Sequence, residues 1–377
     1  MSRRIAWIVG LLLVVHGIGS AGAAEYPTLF RGIRPLGMGG AFIAVPDDSD
    51  AMFYNPASLA AAPGVFKVGV PLPVPLIEIS QSTRSLLNDA KDLKSGSSIS
   101  EINDVLQKHL DENLRVRAAF VPTVSFHAAN LNFGVAVLTQ VRADLAVHGR
   151  LFPVLSSEYA RDIGLLGSAA AHLLSGRIDV GATLKFVQRD TSIQRLTAFQ
   201  ISADGYDPRQ DSKTKSDFAM DLGLNYHLIK DLPVVSMLNP TASVVLQNIT
   251  QLDLIPSEFE QFSQGRVLPY QVNVGLSVSP SVGIAKTIIA YELDDVSKQL
   301  PPDSEHDNYL KRTHLGLEVQ IPFVAVRVGM NQGYGTAGVT LKLAVLEISY
   351  TTYAEQLGVD KNRQSDRRHV VQMGLAF

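Results

Sequence analysis

The chain has 377 residues, with 33 Lys and Arg against 36 Asp and Glu, a formal net charge of −3 and no cysteine. That balance supplies no basic stripe to track phosphates, so nucleic acid is excluded as an expected partner. The absence of cysteine excludes disulfide staples, thiolate chemistry and the usual structural zinc sites. At the N-terminus, Arg3 and Arg4 form a charged region, Ile5 to Val15 an apolar one, and Ala21-Gly22-Ala23 a small-residue cleavage site. The pattern predicts a secretory signal peptide over residues 1–23, because the apolar run is too short for a spanning anchor and no basic stop follows it. Its removal takes away two Arg and leaves 31 basic against 36 acidic residues, a net charge of −5. No long apolar run follows, so a mature chain that crosses a membrane must do so as a closed barrel.

Residues 24–63 read as a compact segment ahead of the first strand. Gly37, Gly39 and Gly40 fall within four positions, which permits positive φ and close backbone approach. Asn55-Pro56 reads as a turn, with Asn capping and Pro fixing φ. Such a small-residue segment can fold back and fill a barrel lumen as a plug. It is not a phosphate loop, since no Lys-Ser/Thr follows the glycines. Asp47, Asp48 and Asp50 suit either a hard cation or a solvated turn.

From about residue 64 onward, segments of roughly ten residues alternate apolar and polar, the length a tilted membrane strand needs. Phe218, Met220, Leu222, Leu224 and Tyr226 alternate with Asp217, Ala219, Asp221, Gly223 and Asn225. Leu315, Leu317, Val319 and Ile321 face away from His314, Gly316, Glu318 and Gln320. Fourteen strands are predicted, over roughly 64–79, 114–126, 130–142, 157–173, 177–190, 214–228, 239–250, 267–279, 284–296, 308–321, 323–331, 335–343, 344–354 and 367–377. Their connections run mostly long then short, with turns predicted at Ala128-Ala129, Ser175-Gly176, Pro280-Ser281 and Pro322. Long connections are predicted over 80–113, 143–156, 191–213, 251–266, 297–307 and 355–366, and only 229–238 and 332–334 depart from the alternation. The fold class is therefore all-β: a transmembrane antiparallel barrel over 64–377, with both termini at the short-turn end.

The first long connection, 80–113, carries helical signals. Ser98 and Glu101 make a capping box, and Ile99, Ile102, Leu106 and Leu110 share one face. Arg84 to Lys94 is a second amphipathic stretch. These helices suit a lid over the barrel mouth, a docking site for a partner, or simple packing on the rim.

At the other end, Val371, Met373, Leu375 and Phe377 fall on one face of the final strand, opposite Gln372, Gly374 and Ala376. A soluble protein would leave this apolar strand as an aggregation-prone edge. In an outer-membrane barrel it closes on the first strand, and it is the expected signal to the barrel-assembly machinery. Glu318, Arg327 and Lys342, on inward faces of late strands, are expected either to pair inside the lumen or to steer a substrate. Glu292, Asp294 and Asp295, at a strand end, suit a hard cation or a polar rim equally, and Tyr54, Tyr350 and Tyr353 read as members of aromatic girdles. No HExxH, His-x-His or GxSxG motif occurs, so neither cofactor, metal nor enzymatic activity is expected.

The run Gly37 to Val45, the acidic pair Asp47-Asp48 and the run Phe53 to Ala60 together resemble the N-terminal signature of the FadL-like outer-membrane superfamily. Val245 to Ile249 and Ala290 to Asp295 resemble later strands of the same group. His314 to Glu318, Arg327 to Tyr334 and Tyr350 to Gly358 resemble its PorV-type and conjugal-transfer TraF-like branch more than its classical transporters. The resemblance covers both ends of the chain and matches the middle in pattern only. It implies a 14-stranded barrel in the Gram-negative outer membrane, with residues 24–63 as an N-terminal hatch. Gly37, Gly39, Gly40, Asn55, Pro56 and Ala57 would then be hatch residues with a conformational role. Passive uptake of small hydrophobic molecules follows, often sideways through a wall opening. The alternative it implies is a non-transporting barrel that anchors or adapts a secretion or conjugation apparatus through a protein partner.

Overall fold

Period-two alternation gives every strand one apolar face, and a sheet so patterned loses its exposed edges only by closing on itself. The computed structural model describes residues 28–46, 50–61, 66–71, 75–91, 97–128, 130–149, 152–228, 238–262, 267–297, 309–356 and 365–376, and its sheet does close. The expected signal peptide, Asp47, Asp48 and Phe377 lie outside the described residues. Fourteen antiparallel strands pair in sequence order and the last returns to the first. They are β1 (Phe66–Pro71, resuming as Leu76–Ser80), β2 (Asn113–Phe120 and Thr123–Ala128), β3 (Leu131–His148), β4 (Val154–Leu173), β5 (Ile178–Thr197), β6 (Lys213–His227) and β7 (Thr241–Gln247). There follow β8 (Gln271–Val278 and Ser281–Val282), β9 (Ala285–Leu293), β10 (Thr313–Ile321), β11 (Val324–Asn331), β12 (Tyr334–Leu343), β13 (Leu346–Gln356) and β14 (Ser365–Ala376). Outward positions form an apolar belt, with Leu184 61 % and Phe218 62 % exposed, while charged residues such as Glu318 and Arg327 point inward and are buried.

The wall is irregular at one place. Pro71 of β1 pairs with Gly374 of β14 and Ile77 with Val371, so five intervening residues face two. On the other side, Gly69 pairs with Thr123 of β2 and Leu76 with Ala119, so six face three. Between these pairings β1 thus carries three more residues than either neighbour, a surplus on both flanks. Pro71, Pro73 and Pro75 carry no N–H to donate, and Pro122 falls in the matching gap of β2. Between β2 and β3 the register runs through that gap unchanged, from Phe120 opposite Thr139 to Thr123 opposite Ala136.

Several predicted boundaries move. β3 runs 18 residues and β4 and β5 run 20 each, so the predicted connections 143–156 and 191–213 shrink to 149–153 and 198–212. The apolar belt ends before the strands do, and backbone pairing continues among charged side chains where hydrophobic alternation fades. The β8–β9 turn falls at Gly283-Ile284 rather than Pro280-Ser281, because the Pro280 carbonyl accepts from the Thr287 amide at 2.9 Å and the ladder continues.

Short helices α1 (Ile33–Gly37) and α2 (Ala51–Tyr54) and a 3-10 turn (Pro56–Ala61) precede the barrel. Three more, α3 (Gln81–Ala90), α4 (Ile99–Lys108) and α5 (Ala198–Asp204), stand at the long-connection end. The Ser98–Glu101 capping box forms on α4, whose Ile102 and Leu106 pack with Val147, Leu155 and Ala198. Ile99 leaves the predicted apolar face and is exposed, since it sits in the first turn beyond the reach of the barrel rim.

Asp89 of α3 accepts from Lys108 Nζ and faces His109 Nε2, both at 2.8 Å. The Lys108 bond first, and then the His109 bond, hold its carboxyl below the ordinary range. A folded value below the unfolded one gives a contribution that is full above about pH 4 and lost as pH falls through the folded value. Relative to intrinsic rates, amide exchange in α3 should therefore be faster at pH 3 than at pH 5. Equal protection at both pH values would show that the Asp89 pairings do not hold α3, leaving its Ser80 cap and the Thr83 bond to the Arg115 carbonyl.

Candidate functional site: the filled lumen and its chamber

Residues 28–46 and 50–61 pack against the inward faces of the wall, and glycine makes the approach possible. Gly39 has φ +66°, and a Cβ there would lie 2.5 Å from the Leu315 carbonyl oxygen and 2.6 Å from the Met330 amide nitrogen. No other residue meets both that conformation and that contact. Elsewhere the wall supplies the glycine: a Cβ on Gly181 of β5 would lie 2.4 Å from the Pro56 carbonyl, and one on Gly223 of β6 2.0 Å from Asn55 Oδ1. Between these supports, Met38, Phe42 and Val45 pack on Ile288 and Ala290, while Phe30, Ile33, Met52 and Phe53 pack on Leu76, Ala119 and Leu138. Each fully buried large apolar side chain contributes about 1.5–3 kcal/mol.

Polar groups fix the register of this packing. Arg34 Nε and Nη2 donate to Glu318 Oε2 and Oε1 at 2.9 and 2.7 Å, and Arg327 Nε donates to the same carboxylate. Arg327 Nη1 also donates to Thr340 Oγ1 at 2.7 Å. Lys342 does not join them: it lies 3.8 Å from Glu347, with both side chains 37 % exposed at the short-turn end. Its inward parity is right, but its place near the end of β12 puts it beyond the Glu318 layer. Asn55 Nδ2 donates to the Ile43 carbonyl at 2.6 Å and to Asn225 Oδ1 at 2.7 Å, and its Oδ1 accepts from Ala57 N at 3.0 Å. The Gly37 carbonyl accepts from Thr336 Oγ1 at 3.1 Å. Gly40, with φ +88°, lies against His314, and the Asp50 carboxylate lies against Gly32.

Sequence reasoning placed Glu292 on a polar rim, yet it is buried and holds the segment. Its Oε2 accepts from Phe42 N at 2.6 Å and Ile43 N at 3.0 Å. His314 Nδ1 donates to the Gly39 carbonyl at 2.8 Å, with Nε2 3.3 Å from Asp294 Oδ2. Inward parity with Ile288 and Ala290 was the available signal for Glu292. Two girdle expectations also fall: Tyr353 is buried inward, 5.9 Å beneath the Arg368 guanidinium, and Tyr54 packs within the lumen. Tyr350 alone of the three faces outward. Val371, Met373 and Leu375 fall at outward positions of β14, paired with β13.

Toward the long connections lies a chamber of about 80 Å³, lined by Phe30, Phe53, Leu268, Gln271, Asp294 and His314 among others. Thr28, Leu29 and Arg31 separate it from a gap of about 10 Å³ beside Glu78, Arg115 and Arg117, close to the break in β1. Among the described residues, no group of three or more His, Asp or Glu side chains is placed to hold a metal ion.

No protein-family model matches the chain, and no curated protein matches it. Among solved structures, the CymD monoaromatic hydrocarbon channel superposes with a TM-score of 0.51 at 12 % identity, over 94 % of this chain and 98 % of that one. The toluene transporter TodX of Pseudomonas putida gives 0.51 at 10 % identity, over 94 % and 99 %. A deltaS2 mutant of TodX gives 0.51 at 11 %, over 92 % and 98 %. At such identities the likeness is one of fold: this chain shares the closed 14-strand architecture of the FadL-like barrels.

Proposed function

We propose that this protein is a Gram-negative outer-membrane channel that passes small hydrophobic molecules inward without an energy source. The observation that carries this reading is the three-residue surplus in β1, which gives the wall a place to open sideways. The outward apolar belt faces lipid, and the long connections face the cell exterior. Residues 24–63 act as the hatch, with Gly37, Gly39, Gly40, Asn55, Pro56 and Ala57 setting its shape. Apolar packing continues from Phe30 and Phe53 of the hatch to Leu76 and Val121 at the break. A hydrophobic solute can therefore reach the membrane without passing the polar short-turn end. The fold shared with CymD and TodX, a hydrocarbon channel and a toluene transporter, supports the same reading. The final strand, through Val371, Met373, Leu375 and Phe377, presents the chain to the barrel-assembly machinery.

Deleting residues 72–74 would restore the register of β1 with both neighbours. Uptake of labelled toluene by cells carrying this variant should fall to the level of cells without the protein, while the barrel keeps its heat-dependent gel mobility. Unchanged uptake would place the exit elsewhere, and equal uptake with and without the native protein would end the transport reading.

A second reading rests on the loop helices, where Leu87, Ile99 and Phe199 are 60 %, 47 % and 65 % exposed. Exposed apolar groups of this kind mark partner sites when they cluster. In that reading the barrel belongs with the PorV and TraF-like branch and anchors a secretion or conjugation apparatus. Native mass spectrometry after gentle extraction should then show a stoichiometric protein partner that Leu87→Asp and Phe199→Asp release.

A further inference from the structure

We infer that the short-turn end of the barrel is a lipid-binding surface. Apolar turn tips carry the outward belt past the strand ends and into the head-group layer of the inner leaflet. The inference rests on the outer-membrane reading above and fixes the depth at which the barrel sits. Four of the described short turns expose an apolar side chain at the tip. Leu174 between β4 and β5 is 68 % exposed, Ile284 between β8 and β9 80 %, and Phe323 between β10 and β11 71 %. Val345, between β12 and β13, is exposed as well. Apolar side chains gathered at one end of a molecule mark a surface that something covers.

What covers these tips follows from the rows they belong to. On β10 and β11 the outward row passes from Val319 and Ile321 through Phe323 to Val324 and Val326 without a polar residue. On β12 and β13 it passes from Leu341 and Leu343 through Val345 to Leu346 and Ile348. The other end of the wall is different. Outward rows there meet Arg161 opposite Asp190 on β4 and β5, and His369 and Arg367 on β14. The apolar surface thus has a polar boundary toward the long connections and none at the β10–β11 and β12–β13 turns. A tip continuous with the belt takes the same surround as the belt, which is lipid.

Strand length sets the depth. β10 has 9 residues and β11 has 8. At about 3.4 Å per residue and a tilt of about 40° they rise roughly 21–23 Å, less than the apolar band of about 25 Å on such a barrel. A hairpin this short cannot cross the band and also hold its tip in water, so Phe323 lies at the lipid boundary. The backbone agrees at Leu174, whose φ is +48°. Gly or Asn would hold that conformation at less cost in water, and Leu is the better side chain only where the tip leaves water. Inside, the same end is polar: Lys342 lies 3.8 Å from Glu347, and His172 2.6 Å from Asp179. The lumen therefore opens at head-group level, and its short-turn rim is a lipid contact rather than a platform for a periplasmic protein.

The chain has one Trp, Trp7, within the expected signal peptide, so a Trp placed in the barrel reports its own surroundings. Single variants are extracted from outer membranes and reconstituted in phosphatidylcholine vesicles. Phe323→Trp and Ile284→Trp probe the tips, Leu184→Trp the middle of the belt and Phe199→Trp the exposed face of α5. Val345→Trp replaces a tip variant that loses heat-dependent gel mobility. Both tip variants should emit at shorter wavelength than Phe199→Trp, resist acrylamide, and lose most of their emission to lipid brominated near the head group. Leu184→Trp should lose its emission to lipid brominated deeper in the chains. Tips open to acrylamide and untouched by brominated lipid would overturn the inference, while a quenched Leu184→Trp leaves the outer-membrane reading standing. A Leu184→Trp equally open to acrylamide would remove that reading and the inference with it. The chain has no cysteine, so Phe323→Cys extends the test to native membranes with a water-soluble maleimide. Labelling in vesicles but not in outer-membrane fragments would show that a periplasmic protein covers the tips, and would also overturn the inference.

Discussion

Glu318→Ala should destabilise the barrel by about 3–5 kcal/mol and loosen residues 28–61 from the wall. The carboxylate is fully buried and is shared by Arg34 of the lumen segment and Arg327 of the wall. Truncation leaves two guanidinium groups facing one another without their common counter-ion. Arg327 keeps Thr340, and Arg34 keeps the Phe42 ring at 5.3 Å, but these neutral contacts do not replace a paired charge. Denaturant titration in micelles reads the loss, and limited proteolysis between Arg31 and Tyr54 reads the loosening. Substituting Met at Arg34, Glu318 and Arg327 together should recover most of the stability, because it removes the charges as a set. A Glu318→Ala barrel as stable as the native one would show that the lumen is wet enough to solvate both arginines.

The strand count was legible because period two is written wherever one face meets an apolar surround and the other a polar lumen. It failed where those surrounds end. Arg142, Asp144, Glu158 and Arg189 continue the pairing of β3, β4 and β5 beyond the belt, and polarity no longer tells inside from outside there. The helix α5 had a readable start, since Thr197 and Gln200 form the same capping box as Ser98 and Glu101. His314 sat at an inward position already assigned and Glu292 on an expected rim, and nothing local reveals that a backbone segment distant in sequence docks on them. The prolines at 71, 73 and 75 mark an interrupted strand in the sequence alone. The surplus of three residues is a property of register with two neighbours, and no single strand contains it.

These features separate two ways in which the lumen can be closed. Charge pairing at Glu318 closes it reversibly, because ion pairs can exchange partners; backbone contact at Gly39 closes it by shape. Gly39→Trp tests the second. A side chain at φ +66° costs about 1–2 kcal/mol, and its Cβ would overlap the Leu315 and Met330 backbone, which cannot rotate aside as a side chain would. Overpacking adds about 1–3 kcal/mol more. Fourteen strands closed by their own hydrogen bonds have no need of the segment to stay paired, so the barrel should persist while the segment fails to seat. In planar bilayers the variant should therefore show conductance steps that the native protein lacks. Gly167→Trp is the control, since a Cβ there meets nothing within 4 Å on the outward face of β4. Conductance from both variants would point to general damage. Silence from Gly39→Trp with an intact barrel would mean that the segment reseats in another register, and that the ion pair at Glu318, not the glycine contact, holds the lumen shut.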